Sequence, residues 1–306
     1  MKHTLSVTLI IVLIFLISQV IGLYAINANT KVTQTPEGGI VVEHEDTAIG
    51  ERPEIEGPVT FVYIMIAILI GTGLLLLLVR LKKIRVWKAM YFFAVWMTCS
   101  ITIGVFTYSI IAFPLCLLLA LFKVYKPNVW IHNLTELFIY AGIAIIFVPL
   151  LDIVWVALLL LAISAYDMFA VWKSGHMVSL AEFQTKSKAF AGVLLSYKLK
   201  LKPKSGKKAK RGEKAGEEQK SAVLGGGDIA FPMIFAGVVM DTMIRTGIHT
   251  KIFAFLYSLI IPAIVTVFLF ALLAKARSDR FYPAMPFLTA GCFLGYGLVW
   301  LVNFVV

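Results

Sequence analysis

The stretch Leu161–Trp172, LAISAYDMFAVW, ends an apolar run that is long enough to cross a membrane, and it carries one carboxylate, Asp167, inside that run. A charged side chain at the centre of a membrane helix costs about 2.5 to 3.5 kcal/mol on insertion scales, so a carboxylate there is a candidate functional group. Taken alone, Asp167 is compatible with an ion ligand, a proton relay or half of a catalytic pair. A second carboxylate at the same depth would distinguish these possibilities.

The composition indicates an all-α polytopic membrane protein. Of its 306 residues 60% are hydrophobic, against roughly 45 to 50% in soluble domains, and apolar runs of membrane-spanning length recur along the chain. The net charge of +11 is attributed to cytoplasmic loops rather than to nucleic-acid binding. Cys99, Cys116 and Cys292 all lie in apolar runs, and no Cys or His cluster predicts a metal or a cofactor.

Nine transmembrane helices are predicted. The uncharged run from Met90 to Phe122 would be about 50 Å long as one helix, too long for a hydrocarbon core of about 30 Å. It is therefore divided into two short spans with a turn near residues 107–109. The full set of predicted spans is 5–25, 58–81, two within 90–122, 133–150, 153–172, 222–244, 252–274 and 287–305.

The charges of the loops predict the orientation of these helices. The segment 27–57 has seven acidic and two basic residues, whereas Lys173 to Lys220 has thirteen basic and four acidic ones. Basic loops are typically cytoplasmic, and Lys123 is counted with them. The N-terminus is then cytoplasmic and the C-terminus extracytoplasmic. Three regions result: 1–172 with helices 1–6, a basic cytoplasmic loop at 173–222, and 223–306 with helices 7–9.

Local structure is also predicted within the two charged loops. In the acidic loop a solvated external loop is expected, although Gly38–Gly39 between β-prone residues also allows a short hairpin. In the basic loop, Lys202–Lys220 is expected to be flexible because it is rich in Lys, Gly and Glu. Its first part, Val178–Tyr197, mixes apolar and basic residues and is expected to form a helix at the membrane interface.

The second carboxylate is Asp228, which follows Gly225–Gly226–Gly227 near the start of the predicted seventh span. Asp167 and Asp228 both lie about 9 Å from the cytoplasmic ends of neighbouring antiparallel helices, so they should have similar depths. Asp241, thirteen residues further on, belongs near the opposite face and outside this site. Glu136, at the start of the fifth span, is placed at the membrane interface.

Two carboxylates within a few ångströms of each other share one proton, which supplies a general base for water and a general acid for a leaving amine. This chemistry suits peptide hydrolysis without a covalent intermediate. The glycines before Asp228 let another backbone approach closely. The same pair of carboxylates also suits a proton- or cation-conducting transporter or channel, and these residues alone leave the two functions about equally supported.

Tyr166–Asp167 and Gly225-x-Gly227–Asp228 resemble the YD and GxGD motifs of the presenilin and signal peptide peptidase family, which are intramembrane aspartyl proteases with nine transmembrane helices. The family's third motif, PAL, has its counterpart in Pro283–Ala284–Met285–Pro286 at the start of the last helix. Methionine replaces the usual leucine, a change that keeps volume and apolarity. The three motifs occur in the family's order.

The resemblance implies an aspartic endopeptidase of the GxGD type with Asp167 and Asp228 as its catalytic pair. Gly225 and Gly227 would shape the backbone of the active site. The segment Ser221–Leu224 would pair with an extended substrate by adding a strand to an edge. The residues implied to position the substrate are Tyr166, Leu224, Pro283, Ala284, Met285 and Pro286.

The resemblance also implies orientation and partners. Presenilins place the loop between the two aspartate helices in the cytoplasm, whereas signal peptide peptidases place it on the opposite side, so the basic loop favours the presenilin orientation. The expected substrates are then single-span membrane proteins with an external N-terminus, cleaved within the lipid bilayer. The uncomplicated loops favour a prokaryotic, archaeal-type homologue that acts without obligatory partner subunits, nucleic acid or cofactor.

Overall fold

The computed structural model describes residues 5–34, 40–51, 57–126, 128–174, 180, 183–184, 187, 189–200, 217–276 and 282–305. These residues form nine helices and two antiparallel β-hairpins. The helices are α1 (Leu5–Asn29), α2 (Pro58–Arg80), α3 (Ile84–Gly104), α4 (Ser109–Tyr125), α5 (Val129–Phe147), α6 (Ile153–Met168), α7 (Gly226–Arg245), α8 (Lys251–Lys275, in two stretches that meet at Leu259) and α9 (Met285–Val305). The strands are β1 (Thr30–Gln34), β2 (Ile40–His44), β3 (Gly192–Lys200) and β4 (Glu217–Gly225).

The protein is a multi-pass membrane protein. Eight helices in the described part of the chain are long and apolar enough to cross a membrane. The ninth, α4, is also apolar but has 17 residues, so it is about 26 Å long and shorter than a typical hydrocarbon core. The predicted division of the long uncharged run is confirmed, because α3 ends at Gly104 and α4 begins at Ser109.

Helix α7 lies at the centre of the bundle. It packs against α1, α5, α6, α8 and α9. In its apolar 18-residue stretch 78% of the residues are buried, against at most 56% in the corresponding stretches of the other candidate spans. A helix that is apolar around its whole circumference is expected to be buried in this way. The two carboxylates of α7, Asp228 and Asp241, lie near its opposite ends.

The hairpin of β1 and β2 is anchored to the far end of α7. Thr30 pairs with His44 in the hairpin, so the expectation of a solvated loop is wrong here and the hairpin that the sequence also allowed is present. His44 Nε2 lies 2.9 Å from Asp241 Oδ1, and both side chains are buried. Arg245 Nε lies 2.6 Å from Asp241 Oδ2. Asp241 therefore has a structural partner on each side.

Helices α3 and α5 approach each other closely at Gly142. A Cβ atom at this position would collide with the carbonyl oxygen of Thr98 on α3, and Thr102 Oγ1 donates a 2.6 Å hydrogen bond to Phe138 O nearby. Small residues commonly allow such close contacts between membrane helices. The α3–α5 contact matters for the site because side chains of α3 bind the segment just before β3 and side chains of α5 bind β3 itself.

We expect Gly142→Ala to lower the thermal unfolding midpoint of the purified protein in detergent, because the added methyl group must push α3 away from α5. Overpacking of this kind typically costs about 1–3 kcal/mol. Gly71→Ala on α2 is the matched control, since a Cβ atom there meets nothing within 4 Å. Equal midpoints for the two variants would contradict the described α3–α5 contact.

Candidate active site

Asp167 lies in the last turn of α6, just before the helix widens into a π-helical turn over Phe169–Ser174. π-Turns inside α-helices are frequent at functional sites. The side chain of Asp167 is buried, with 8% of its surface exposed. Its Oδ2 atom accepts a 3.1 Å hydrogen bond from the backbone N–H of Met285, and the backbone N–H of Ala284 is directed towards the same carboxylate.

The Pro-Ala-Met-Pro motif explains this contact. Pro283 and Pro286 have no N–H group, so Ala284 and Met285 supply both N–H donors of the motif, and both are directed at Asp167. The positive end of the α9 dipole thus faces the carboxylate. Because the donors belong to the main chain, methionine in place of the family's leucine leaves this contact in place.

Asp228 occupies the third position of α7, after the N-cap residue Gly225. The backbone N–H of Gly225 is directed towards its carboxylate, the arrangement of an acidic residue at the third position of a capping box. A Cβ atom on Gly225 would lie 3.1 Å from Asp228 Oδ2, so glycine leaves room for the carboxylate to fold back. Asp167 therefore lies against the N-terminus of α9, and Asp228 lies at the N-terminus of its own helix, α7.

The structure brings the two carboxylates together. Helices α6 and α7 pack against each other, and the charge of Asp167 acts directly on Asp228. Asp167 is buried whereas Asp228 is partly exposed. Residues 167, 228 and 284–285, which are far apart in sequence, thus form one cluster, while Asp241 lies about 20 Å further along α7 with its own partners.

The middle glycine of the triplet has the tightest surroundings. A Cβ atom on Gly226 would lie 3.0 Å from Tyr140 Cε1 and 3.2 Å from its hydroxyl oxygen, and the Gly226 N–H donates to Ala191 O at 3.3 Å. At Gly227 a Cβ atom would make only an ordinary contact with Phe231, at 3.4 Å. Sequence reasoning selected Gly225 and Gly227 and missed Gly226, because the GxGD motif leaves that position open.

Two predictions about the chain before α7 were wrong. The seventh span was expected to begin at Ala222, but residues 217–225 form β4 and the helix begins at Gly226. The interfacial helix expected over Val178–Tyr197 is also wrong from Gly192 onward, where the chain forms β3. The cause is the antiparallel pairing of β3 with β4, a long-range contact that local composition does not show. Leu224 is buried in this hairpin opposite Val193.

The outer edge of β3 is bound to α5. Asn133 Nδ2 donates to Leu194 O at 2.9 Å, and Leu194 N donates to Asn133 Oδ1 at 3.0 Å. His132 Nε2 lies 2.8 Å from Gly192 O. Along an antiparallel ladder, successive residues direct their backbone N–H and C=O groups alternately towards the partner strand and away from it. The backbone groups of Leu194 point away from β4, to Asn133, so those of its partner Val223 point away from β3. The side chain of Val223 is 43% exposed.

Tyr166 makes a contact away from the two aspartates. Its hydroxyl donates to Thr72 Oγ1 on α2 at 3.2 Å, so one function of this residue is to tie α6 to α2. Glu136 and Lys123 form a buried ion pair, and each side chain is 1% exposed. Lys123 lies within α4, so its predicted place in a cytoplasmic loop is wrong.

Among the described residues, no group of three or more His, Cys, Asp or Glu side chains is arranged to hold a metal ion. The three cysteines are buried free thiols. The polar chemistry of the site therefore comes from the carboxylates of Asp167 and Asp228 and from the backbone N–H groups around them.

Comparison with known proteins agrees with this architecture. A family model described as signal-peptide peptidase, presenilin aspartyl protease matches residues 40–306. No curated protein matches the chain significantly. The solved structure of a presenilin family intramembrane aspartate protease has the same fold, with a TM-score of 0.60 and 17% sequence identity over 96% of this chain and 99% of that chain. The presenilin-like helical fold expected from the sequence is confirmed.

Proposed function

Because this chain belongs to the signal peptide peptidase and presenilin family of aspartyl proteases, we propose that it is an intramembrane aspartic endopeptidase whose catalytic pair is Asp167 and Asp228. One observation carries the proposal. The motif at the start of α9 donates a backbone hydrogen bond from Met285 to Asp167, with the N–H of Ala284 directed to the same carboxylate, while the charge of Asp167 acts on Asp228 at the start of α7. Three separate motifs thus converge on one pair of carboxylates.

The pair would hydrolyse a peptide bond with water as the nucleophile. One carboxylate removes a proton from the water while its oxygen attacks the carbonyl carbon, which gives a tetrahedral intermediate. The other carboxyl group, which carries the shared proton, donates that proton to the amide nitrogen, and the carbon–nitrogen bond breaks. The products are a carboxylic acid and an amine, and no covalent enzyme intermediate is formed.

The substrate would bind as an extended strand on the outer edge of β4. A peptide bond inside a helix has its polar groups engaged in the helix, so a membrane-spanning substrate must unwind before the catalytic water can attack. Backbone pairing with an exposed strand edge holds such a segment. Val223 presents its backbone away from β3, two residues before Gly225, whose N–H is directed towards Asp228. A substrate on this edge would run directly towards the two carboxylates.

For orientation we propose the presenilin arrangement, with the N-terminus and the 173–222 loop in the cytoplasm and the C-terminus outside. The support is the excess of thirteen basic over four acidic residues between Lys173 and Lys220. The preferred substrates are then single-span proteins with an external N-terminus. Two reporter substrates that differ only in orientation, co-reconstituted with the protease, test this arrangement. Preferential cleavage of the reporter with a cytoplasmic N-terminus would contradict it.

The isosteric variants Asp167→Asn and Asp228→Asn should each abolish cleavage of a single-span peptide in detergent, because acid–base catalysis by such groups contributes about 10²–10⁴-fold to the rate. Asp241→Asn is the matched control on the same helix as Asp228, and it should retain activity because Asp241 binds His44 and Arg245 instead. Retained cleavage in either of the first two variants would disprove the proposal. Carboxylate-dependent ion flux in proteoliposomes without cleavage would favour a transporter or channel.

Val223→Pro should lower kcat/KM, because proline removes the N–H group that the edge of β4 offers to a substrate. The loss of one backbone hydrogen bond is worth about 0.5–1.5 kcal/mol, or about two- to twelvefold. The β3–β4 pairing should survive, since this N–H points away from β3 and proline is tolerated on strand edges. Val223→Ala keeps the N–H group and serves as the control. Equal kcat/KM values for the two variants would argue against strand addition at this position.

A further inference from the structure

A buried polar cluster lies between α3, α4 and α5, outside the two catalytic candidates. It consists of Lys123, Glu136, Tyr91 and Tyr140, and none of these residues is more than 6% exposed. Lys123 Nζ donates to Glu136 Oε1 at 2.6 Å, to Thr135 Oγ1 at 2.8 Å and to His132 O at 3.2 Å. All three protons of the ammonium group are thereby satisfied.

Glu136 connects this lysine to two tyrosines. Its Oε1 atom lies 2.9 Å from the Tyr91 hydroxyl, which is also 2.7 Å from Phe190 O and donates to one of these two acceptors at a time. Its Oε2 atom accepts a short hydrogen bond from the Tyr140 hydroxyl. Burying two opposite charges costs several kcal/mol per ion before their attraction is counted. Every member of the cluster is hydrogen-bonded. A cluster that is costly to bury and fully hydrogen-bonded indicates a role beyond packing of the core.

Tyr140 connects the cluster to the segment that carries Asp228. Its ring and hydroxyl lie against Gly226, where a Cβ atom would be 3.0 and 3.2 Å away. Gly226 in turn donates to Ala191 O, and the neighbouring Phe190 O faces Tyr91. The charge of Asp228 acts on Tyr140. The cluster therefore contacts the backbone two residues before the carboxylate.

We propose that Tyr140, held by Glu136 and Lys123, is a positioning residue that sets the backbone at Gly226 and thereby the placement of the Asp228 carboxylate. The proposal rests on the proposed protease function of Asp228. Tyr140 acts through Gly226 and does not touch the β4 edge at Val223. Loss of its hydroxyl should consequently change the rate of the chemical step more than substrate binding.

The test compares two isosteric hydroxyl deletions, one in Tyr140 of the cluster and one in Thr135, which binds Lys123 from outside the cluster. Tyr140→Phe removes the hydroxyl that binds Glu136 and faces Gly226, whereas Thr135→Val removes a hydroxyl from the far side of Lys123. Both should lower the thermal unfolding midpoint in detergent. With a fluorogenic single-span peptide, Tyr140→Phe should also lower kcat about ten- to hundredfold at unchanged KM, while Thr135→Val should keep the wild-type kcat.

A double-variant cycle tests the same contact from its other side. Gly226→Ala places a methyl group against Tyr140 and should lower kcat by a similar factor at unchanged KM. If Tyr140→Phe is poorly folded, this single variant tests the contact, and a wild-type kcat in it would overturn the proposal. The combination with Tyr140→Phe should lose much less than the product of the two single losses, because both act on one contact. Independent, multiplicative losses would overturn the proposal, as would a wild-type kcat in Tyr140→Phe or equal losses of kcat in Tyr140→Phe and Thr135→Val.

The failure of this inference differs from failure of the protease function itself. If Asp228→Asn is inactive and Tyr140→Phe keeps the wild-type kcat, the positioning role is wrong and the protease function stands. If Asp228→Asn still cleaves the peptide, Asp228 is not catalytic, and a role for Tyr140 in placing it is overturned as well.

Discussion

The carboxylate of Asp167 is held by the two N–H groups at the start of α9, and the geometry of the site depends on this contact. Lipid offers no hydrogen-bond donors, so a carboxylate in a membrane span must find them within the protein. The first turn of a helix has N–H groups without intrahelical partners and a partial positive charge. Ala284 and Met285, which lie between two prolines, direct their N–H groups to the Asp167 carboxylate, and this contact fixes α9 to α6.

At the N-terminus of α7, backbone N–H groups also face a carboxylate, and α7 connects this end to the rest of the bundle. The N–H of Gly225 is directed towards Asp228, while Gly226 packs on Tyr140 of α5. At the other end, Asp241 binds the β1–β2 hairpin through His44. Because α7 is buried against five helices, a shift of either end must be accommodated by the whole bundle. The position of Asp228 is thus determined by packing as well as by this local contact.

Much of this architecture could be predicted from sequence because its signals are local. Hydropathy and helix length locate the spans, and a carboxylate within an apolar run is visible without any structure. The β3–β4 hairpin could not be predicted, since its strands are joined across a long basic segment and their pairing is non-local. Lys123 was misplaced for a different reason. A lysine at the end of an apolar run has the same sequence signature whether it faces water or, as here, Glu136.

Four carboxylates of the described helices, three of them buried and Asp228 partly exposed, divide into two kinds according to the groups next to them. Glu136 pairs with Lys123, and Asp241 pairs with Arg245 and His44, so each of these two carboxylates has a basic side chain as its structural partner. In the described part of the chain, Asp167 and Asp228 form no ion pair and face backbone N–H groups. Backbone dipoles orient a carboxylate without supplying a full countercharge. Asp167 and Asp228 therefore lack the full countercharge that the other two carboxylates have, which fits the proposed sharing of one proton between them.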